Sequence, residues 1–408
     1  MQVYLVGGAV RDTLLGRTVT ERDYVVVGAT PAQMLAKGFT QVGKDFPVFL
    51  HPKTSEEYAL ARTERKMGSG YTGFECDAST SVTLEEDLKR RDLTVNAIAR
   101  DPDGELIDPY NGQQDLQNKV LRHVSDAFSE DPLRVFRVAR FATRYAYLGF
   151  TIAEETLSLM TAMANSGELT SLSAERVWQE TKRSLLEATP EVFFTTLKSC
   201  HGLDDWFVEL SESEHAFNTG IQGLQQIQKY TQSNGSNFTA PIEVRFAALC
   251  SGLSLNQVQQ LCNRLKVQNT VSEIAEMVSA HKALLISSDK LEAHTLLIVF
   301  NKTDAWRRPE RFNLFLSALQ PFAMLQQDSG LSNEHSDGHS DGHLSAHSSK
   351  QSETMNTSNW QQREVLISQA LAAANTVDVQ HIIAQGFKGP EIREALNNAK
   401  LEKISALL

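Results

Sequence analysis

The feature that most constrains this chain lies at its start. Residues 3–6 (VYLV) read as a short buried strand and Gly7-Gly8 as a turn. AVRDTLLG then reads as a helix that stops at Gly16, and Glu21-Arg22-Asp23 opens a second apolar strand, DYVVV, at 23–27. Two glycines ahead of a helix expose backbone N–H groups at its positive end, which is a place for a triphosphate. Arg11 stands one turn further on and can reach a phosphate oxygen. Glu21 and Asp23 are two apart, so on an extended chain they point to the same side. Two carboxylates on one side suit a pair of Mg²⁺ ions, which prefer oxygen ligands and fill their remaining positions with water and substrate phosphates. One ion lowers the pKa of an attacking hydroxyl, and the other stabilises a leaving pyrophosphate. A lone Gly-Gly is only a turn, and two acids at a strand start are usually solvated surface. Their order and spacing together are what make the signal specific.

The rest of the chain divides by pattern. Residues 33–37 suggest a short helix, 46–51 (FPVFLH) a third strand and 57–63 (EYALART) a fourth. Residues 68–82, rich in Gly, Ser and Thr, read as a mobile loop. Residues 85–99 read as a helix, and 105–108 as a short strand before the turn PYNG. Strands and helices mix up to about residue 125. Ser129 of SEDP, with Pro132 in the first turn, then opens a helical region that runs without a convincing strand to about residue 325. Residues 327–357 are polar and rich in Ser, Asp, Gly and His, and read as a disordered linker before a last helical piece. The expected class is α+β, with a strand-bearing N-terminal part followed by helices.

Two arginine-rich segments add to the N-terminal pattern. Arg90-Arg91-Asp92 precedes Asn96-Ala97, and Arg91 has the forked guanidinium that suits phosphate or ribose oxygens. Further on, EDPLRVFRVARF places Arg134, Arg137, Arg140 and Arg144 within one stripe of about 120° on a helix. After Asp131 this stretch has no acid before Glu154, so nothing on the helix itself neutralises the stripe. That points to an anion-binding face.

GGAVRDTLLG, the acid-x-Asp pair, RRDLTVNA and EDPLRVFRVARF, in this order, resemble the bacterial class II tRNA nucleotidyltransferases, the CCA-adding enzymes. The likeness is clearest over residues 1–210, and the tail segment GFKGPEIREAL continues it. It suggests the long gammaproteobacterial form. The resemblance implies a nucleotidyltransferase-superfamily head with a small mixed sheet at 1–138 and a helical neck at 139–210. A helical body follows at 211–326, then the linker at 327–357 and a helical tail at 358–408. It implies transfer of C, C and A from CTP and ATP to the 3′ end of tRNA without a nucleic-acid template. By motif position, Gly8, Arg11, Arg91, Arg137 and Arg140 would bind nucleotide, and Glu21 and Asp23 would hold Mg²⁺. Asp131 and Arg134 would read the incoming base. A carboxylate accepts from the exocyclic amino group of C or A, and uracil or guanine would leave it unpaired.

Two departures from the family stand out. Glu21 replaces the usual first Asp, and its extra methylene shifts a bound metal by up to about 1.5 Å, one C–C bond. Glu64 is a candidate third acid. The long relatives also carry a His-Asp phosphohydrolase motif where this chain reads RFAALCSGLSLNQ, and no His-Asp dipeptide occurs anywhere in it. A degenerate HD-like body without phosphohydrolase activity is expected. Partial addition (CC-adding, A-adding or poly(A) synthesis) and a non-catalytic tRNA-binding relic are the alternatives.

Composition sets the remaining expectations. A net charge of −11 over 408 residues argues against a chain that grips nucleic acid with its whole surface. The balance is −2 over residues 1–150 and −9 beyond, so RNA contact must use local basic patches such as Arg62-Arg65-Lys66 and Lys89-Arg90-Arg91. Cys76, Cys200, Cys250 and Cys262 fit neither a zinc site nor a disulfide frame. His335, His339, His343 and His347 recur every four residues, but the glycines among them disfavour a helix and a metal site. No apolar run reaches membrane-spanning length and no secretory leader is recognisable, so no membrane association and a cytoplasmic location are expected. Oligomeric state, monomer or homodimer, is left open.

Overall fold

A computed structural model describes residues 1–42, 48–66, 74–233, 240–286, 290–331 and 348–408. The chain divides into two compact units, Met1–Val208 and Glu209–Leu408. The first is built on a mixed sheet. Its elements begin with β1 (Gln2–Val6), α1 (Gly8–Leu14), β2 (Asp23–Val27), α2 (Pro31–Ala36), β3 (Thr40–Val42), β4 (Val48–Leu50) and β5 (Glu57–Leu60). They continue with β6 (Thr63–Lys66), β7 (Phe74–Asp77), α3 (Leu84–Lys89), β8 (Ala99–Arg100) and β9 (Leu106–Ile107). The sheet runs β3-β4-β5-β2-β1-β8-β9, with β2 and β5 parallel and the other neighbours antiparallel.

Burial on both faces explains the unbroken apolar run of β2. Val25 packs with Val6, Leu88 and Ala97 on one face, while Val26 packs with Met34, Phe49 and Leu60 on the other. The register Val6↔Asp23 puts the end of β1 beside the start of β2. The glycine turn and the acidic pair therefore meet at one end of the sheet.

Helices complete this unit. α4 (Gly112–Asn118), β10 (Val120–Leu121), α5 (Leu133–Tyr145), β11 (Thr151–Ile152), α6 (Glu154–Asn165), α7 (Ala174–Leu185) and α8 (Glu191–Ser199) follow in order. α5 packs on α7 and α8, with buried Phe136 of α5 beside Phe193 of α8. The second unit is helical among its described residues, around buried Phe246, Phe300, Phe312 and Phe315. Cys250 and Ser251 are each 1% exposed, and Gly252 lies so close to Ala216 that a Cβ there would stand 2.5 Å from its Cα. No described helix is long and apolar enough to cross a membrane.

Several expectations need correction. The helix expected at 85–99 ends at Lys89, and a 3₁₀ turn at Thr94–Asn96 and β8 follow. Asp87 draws Arg90 and Arg91 back onto itself, and Leu93 leaves the helix to bridge His123. The strand expected at 57–63 is two, β5 and β6. The stretch 68–82, expected to be loop, contains β7, paired antiparallel to β6. Ser129 lies in a 3₁₀ turn, Asp126–Glu130, and the helix begins after Pro132. β11, beyond the last expected strand, pairs in parallel with β10. Helical backbone extends to Leu331 and resumes at Ser348, inside the segment read as linker. The four repeated histidines lie outside the described residues.

Candidate active site

An open cavity of about 590 Å³ in the first unit is lined by Gly8, Arg11, Glu21, Asp23, Arg91, Asp131, Arg134, Arg137 and Arg140. Every site residue expected from the sequence therefore meets there, apart from Glu64. That residue lies on β6 opposite Cys76, and its side chain is outside the described set. Among the described residues, ten arginines and four carboxylates line the wall, a surplus of positive charge suited to a polyphosphate.

The glycine turn brings backbone to the wall. Gly7 holds φ +66°, a conformation that favours glycine, and a Cβ there would stand 2.9 Å from Arg91 Nη1. A Cβ on Gly8 would lie 3.5 Å from Arg11 Nη2. Arg11 itself is buried. Its Nε donates to Asp12 at 3.0 Å, its Nη1 donates to Asn96 Oδ1, and its guanidinium lies over the rings of Phe141 and Tyr145. One guanidinium face is thus packed before any ligand arrives.

Glu21 and Asp23 both line the cavity, where the Asp23 residue keeps solvent access while its carboxyl is partly enclosed by the wall. Burial pushes the Asp23 carboxyl above the ordinary carboxylate range; Arg91 opposes the shift and the Glu21 charge adds to it. Among the described residues no group of three or more His, Cys, Asp or Glu forms a metal cluster. Two carboxylate donors nevertheless fit Mg²⁺, which takes few protein ligands and completes its shell from water and phosphate. Their mutual repulsion is what a cation would relieve.

The arginine stripe of α5 requires a second correction. No acid on its own helix neutralises it, but other elements do. Asp92 accepts from Arg137 Nε at 2.9 Å and Nη2 at 2.6 Å, and Glu180 on α7 accepts from Arg140 Nε. Arg134 donates to the carbonyls of Ala127 and Arg90. Asp131 accepts from the Leu133 N–H at 3.0 Å and from Arg176 Nη2 at 3.1 Å. A search for partners at helical spacing cannot find Asp92, Arg176 or Glu180, because the tertiary fold brings them. Asp92 at least stood within RRDLTVNA; Arg176 and Glu180 carried no signal.

Known proteins resemble this chain in sequence and in fold. A family model described as the poly A polymerase head domain matches residues 3–122. A second, described as a probable RNA and SrmB-binding site of polymerase A, matches residues 149–213. The sequence is 56% identical, over 100% of both chains, to a CCA-adding enzyme from Alteromonas mediterranea. It is 46% identical, over 99% of each, to a multifunctional CCA protein from Pseudoalteromonas atlantica. A solved CCA-adding enzyme complex with CTP covers 99% of this chain and 87% of its own, with a TM-score of 0.65 at 20% identity. The Bacillus stearothermophilus CCA-adding enzyme with CTP gives 0.61 at 22% identity, over 99% of this chain and 89% of that one. At such identities the structures share the fold.

Proposed function

This chain belongs to the CCA-adding enzyme family, and from that premise we propose how its cavity adds C, C and A to the 3′ end of tRNA. The observation that carries the assignment of roles is the convergence of the glycine turn, the acidic pair and the α5 arginines on one wall. The RNA 3′ hydroxyl attacks the α-phosphorus of CTP or ATP; a P–O bond to the RNA forms, the bond from that phosphorus to the oxygen bridging to the β-phosphate breaks, pyrophosphate leaves, and the hydroxyl proton passes to solvent.

Enzymes of this family are generally metal-dependent, and the donor chemistry here favours Mg²⁺ on Glu21 and Asp23. Bound there, it would make the hydroxyl more acidic and offset charge on the leaving pyrophosphate. The chain's own groups do the rest. Gly8 lets phosphate approach the backbone, and Arg11 and Arg91 hold phosphate oxygens. Arg137 and Arg140, each tethered to an acid, present the faces they have left to the nucleotide. Asp131 accepts from the amino group of C or A while Arg134 donates to the adjacent ring acceptor. The Arg176 contact orients the Asp131 carboxylate. The absence of a His-Asp dipeptide supports a body without phosphohydrolase activity. Action on tRNA supports a cytoplasmic location.

The test supplies tRNA lacking its terminal triplet with labelled CTP and ATP, singly and together. Full activity incorporates A only after C. Incorporation of C alone, or of A without C, would assign a partial activity instead. Asp23→Ala should lose addition at least about a hundredfold, in line with removing an electrostatic catalytic group, while still binding tRNA. Equal turnover by that variant would overturn the metal assignment.

A further inference from the structure

Asp87 lies in the first turn of the short helix α3, is completely buried and is not among the residues lining the cavity. Three groups that do line it converge on its carboxylate. Oδ1 accepts from Arg90 Nε at 3.1 Å and Nη2 at 2.8 Å, and from the Arg62 backbone N–H at 3.3 Å. Oδ2 accepts from Arg91 Nη2 at 3.2 Å. Arg90 Nε also donates to the Arg62 carbonyl at 3.0 Å, which closes the loop of contacts.

The Arg90 backbone carries the arrangement onward, since its carbonyl accepts from Arg134 Nη2. A carboxylate at this depth with no counter-charge would be protonated or excluded. Burial does oppose its ionisation, but Arg90 and Arg91 hold its pKa below the ordinary range. Conversely, adjacent guanidinium groups on Arg90 and Arg91 repel each other unless an anion sits between them.

We propose that Asp87 is a positioning residue that never meets the nucleotide, fixing Arg91 at the triphosphate and, through the Arg90 carbonyl, Arg134 at the base. The inference rests on the roles proposed above for Arg91 and Arg134. It makes one buried group responsible for two properties, affinity for nucleotide and choice of base. Loss of the carboxylate frees Arg91 to swing toward water. It also frees the Arg90 side chain, which ties this backbone to Asp87 and Arg62, so the Arg90 carbonyl holds the Arg134 guanidinium less firmly in place.

The experiment compares full-length wild type and Asp87→Asn on tRNA lacking its terminal triplet. It measures KM for CTP, KM for tRNA and the ratio of kcat/KM for CTP over UTP. That ratio does not depend on how much of the variant is folded, so a merely structural role leaves it unmoved. We expect KM for CTP to rise about tenfold, the loss of one charge-assisted hydrogen bond. KM for tRNA should hold, and the CTP/UTP ratio should fall by about fivefold or more. An unchanged ratio with an unchanged KM, or a lower kcat alone, overturns the proposal. Should Asp87→Asn not fold, Arg90→Lys serves. It removes the Nε contacts at a partly exposed position and leaves Asp87 paired with Arg91. The ratio should fall again, and an unchanged ratio counts against the proposal. Wild type that adds no nucleotide would refute the roles of Arg91 and Arg134, a separate failure.

Discussion

In a cavity this rich in arginine, single carboxylates decide which guanidinium groups stand still. Asp92 is 6% exposed and accepts from Arg137, from Asn96 Nδ2 at 2.9 Å and from the Leu93 N–H at 2.9 Å. Burial works against its ionisation, yet Arg137 and the Asn96 amide hold its pKa well below the ordinary carboxylate value. Its contribution to stability is therefore complete above the unfolded-state pKa of about 3.9 and is lost as pH falls toward the depressed folded value. Asp92→Asn should cost about 2 kcal/mol at pH 7, the scale of a hydrogen bond to a charged group. The gap between the two proteins should narrow at pH 3. Urea unfolding of both at the two pH values checks this, and a gap independent of pH would refute it. RRDLTVNA made Asp92 visible in the sequence, but its partner Arg137 stands 45 residues away, and no local pattern joins them.

At the scale of elements, α3 shows how a short helix is held in place. Thr83 Oγ1 accepts from the Glu86 N–H at 3.2 Å, and the Glu86 side chain accepts from the Thr83 N–H at 2.8 Å, a reciprocal cap. That cap fixes the first turn of the helix, the turn that carries Asp87. Thr83→Ala should cost about 1 kcal/mol. In a unit of this size that lowers Tm by about 2–4 °C, to be read by scanning calorimetry. No change in Tm would show that the cap is dispensable. The helix was legible in the sequence and its end was not. The apolar pattern of LEEDLKRRDLTVNAIA continues past Lys89, but buried Leu93, Val95 and Ile98 satisfy it in a turn and a strand entry instead. Periodicity reports which side chains are buried. It does not fix the backbone that buries them.

For the molecule as a whole, charge and core are divided unequally. The cavity and its supports all lie within Met1–Val208, although that unit carries 23 Lys and Arg against 30 Asp and Glu, and the second carries 16 against 20. A fragment of residues 1–208 should fold and bind CTP with nearly the affinity of the full chain, measured by calorimetric titration. Its affinity for tRNA should be weaker and should depend less on salt, because each lost phosphate contact removes about 0.7–0.9 from the slope of log K against log salt. An identical slope for fragment and full chain would mean that the second unit makes no electrostatic contact with tRNA.

What the sequence determined by itself was the chemistry and its order. Strand, glycine turn, acidic pair and arginine run are each local, and spacing along one strand or one helix is a matter of backbone geometry alone. The tertiary structure decided what those groups are bonded to. Sheet register set the acids beside the glycines, and the packing of α5 against α7 and the RRD segment supplied Glu180 and Asp92 to arginines that had no counter-charge on their own helix. Coulomb attraction depends on distance in space, and only the folded chain sets that distance.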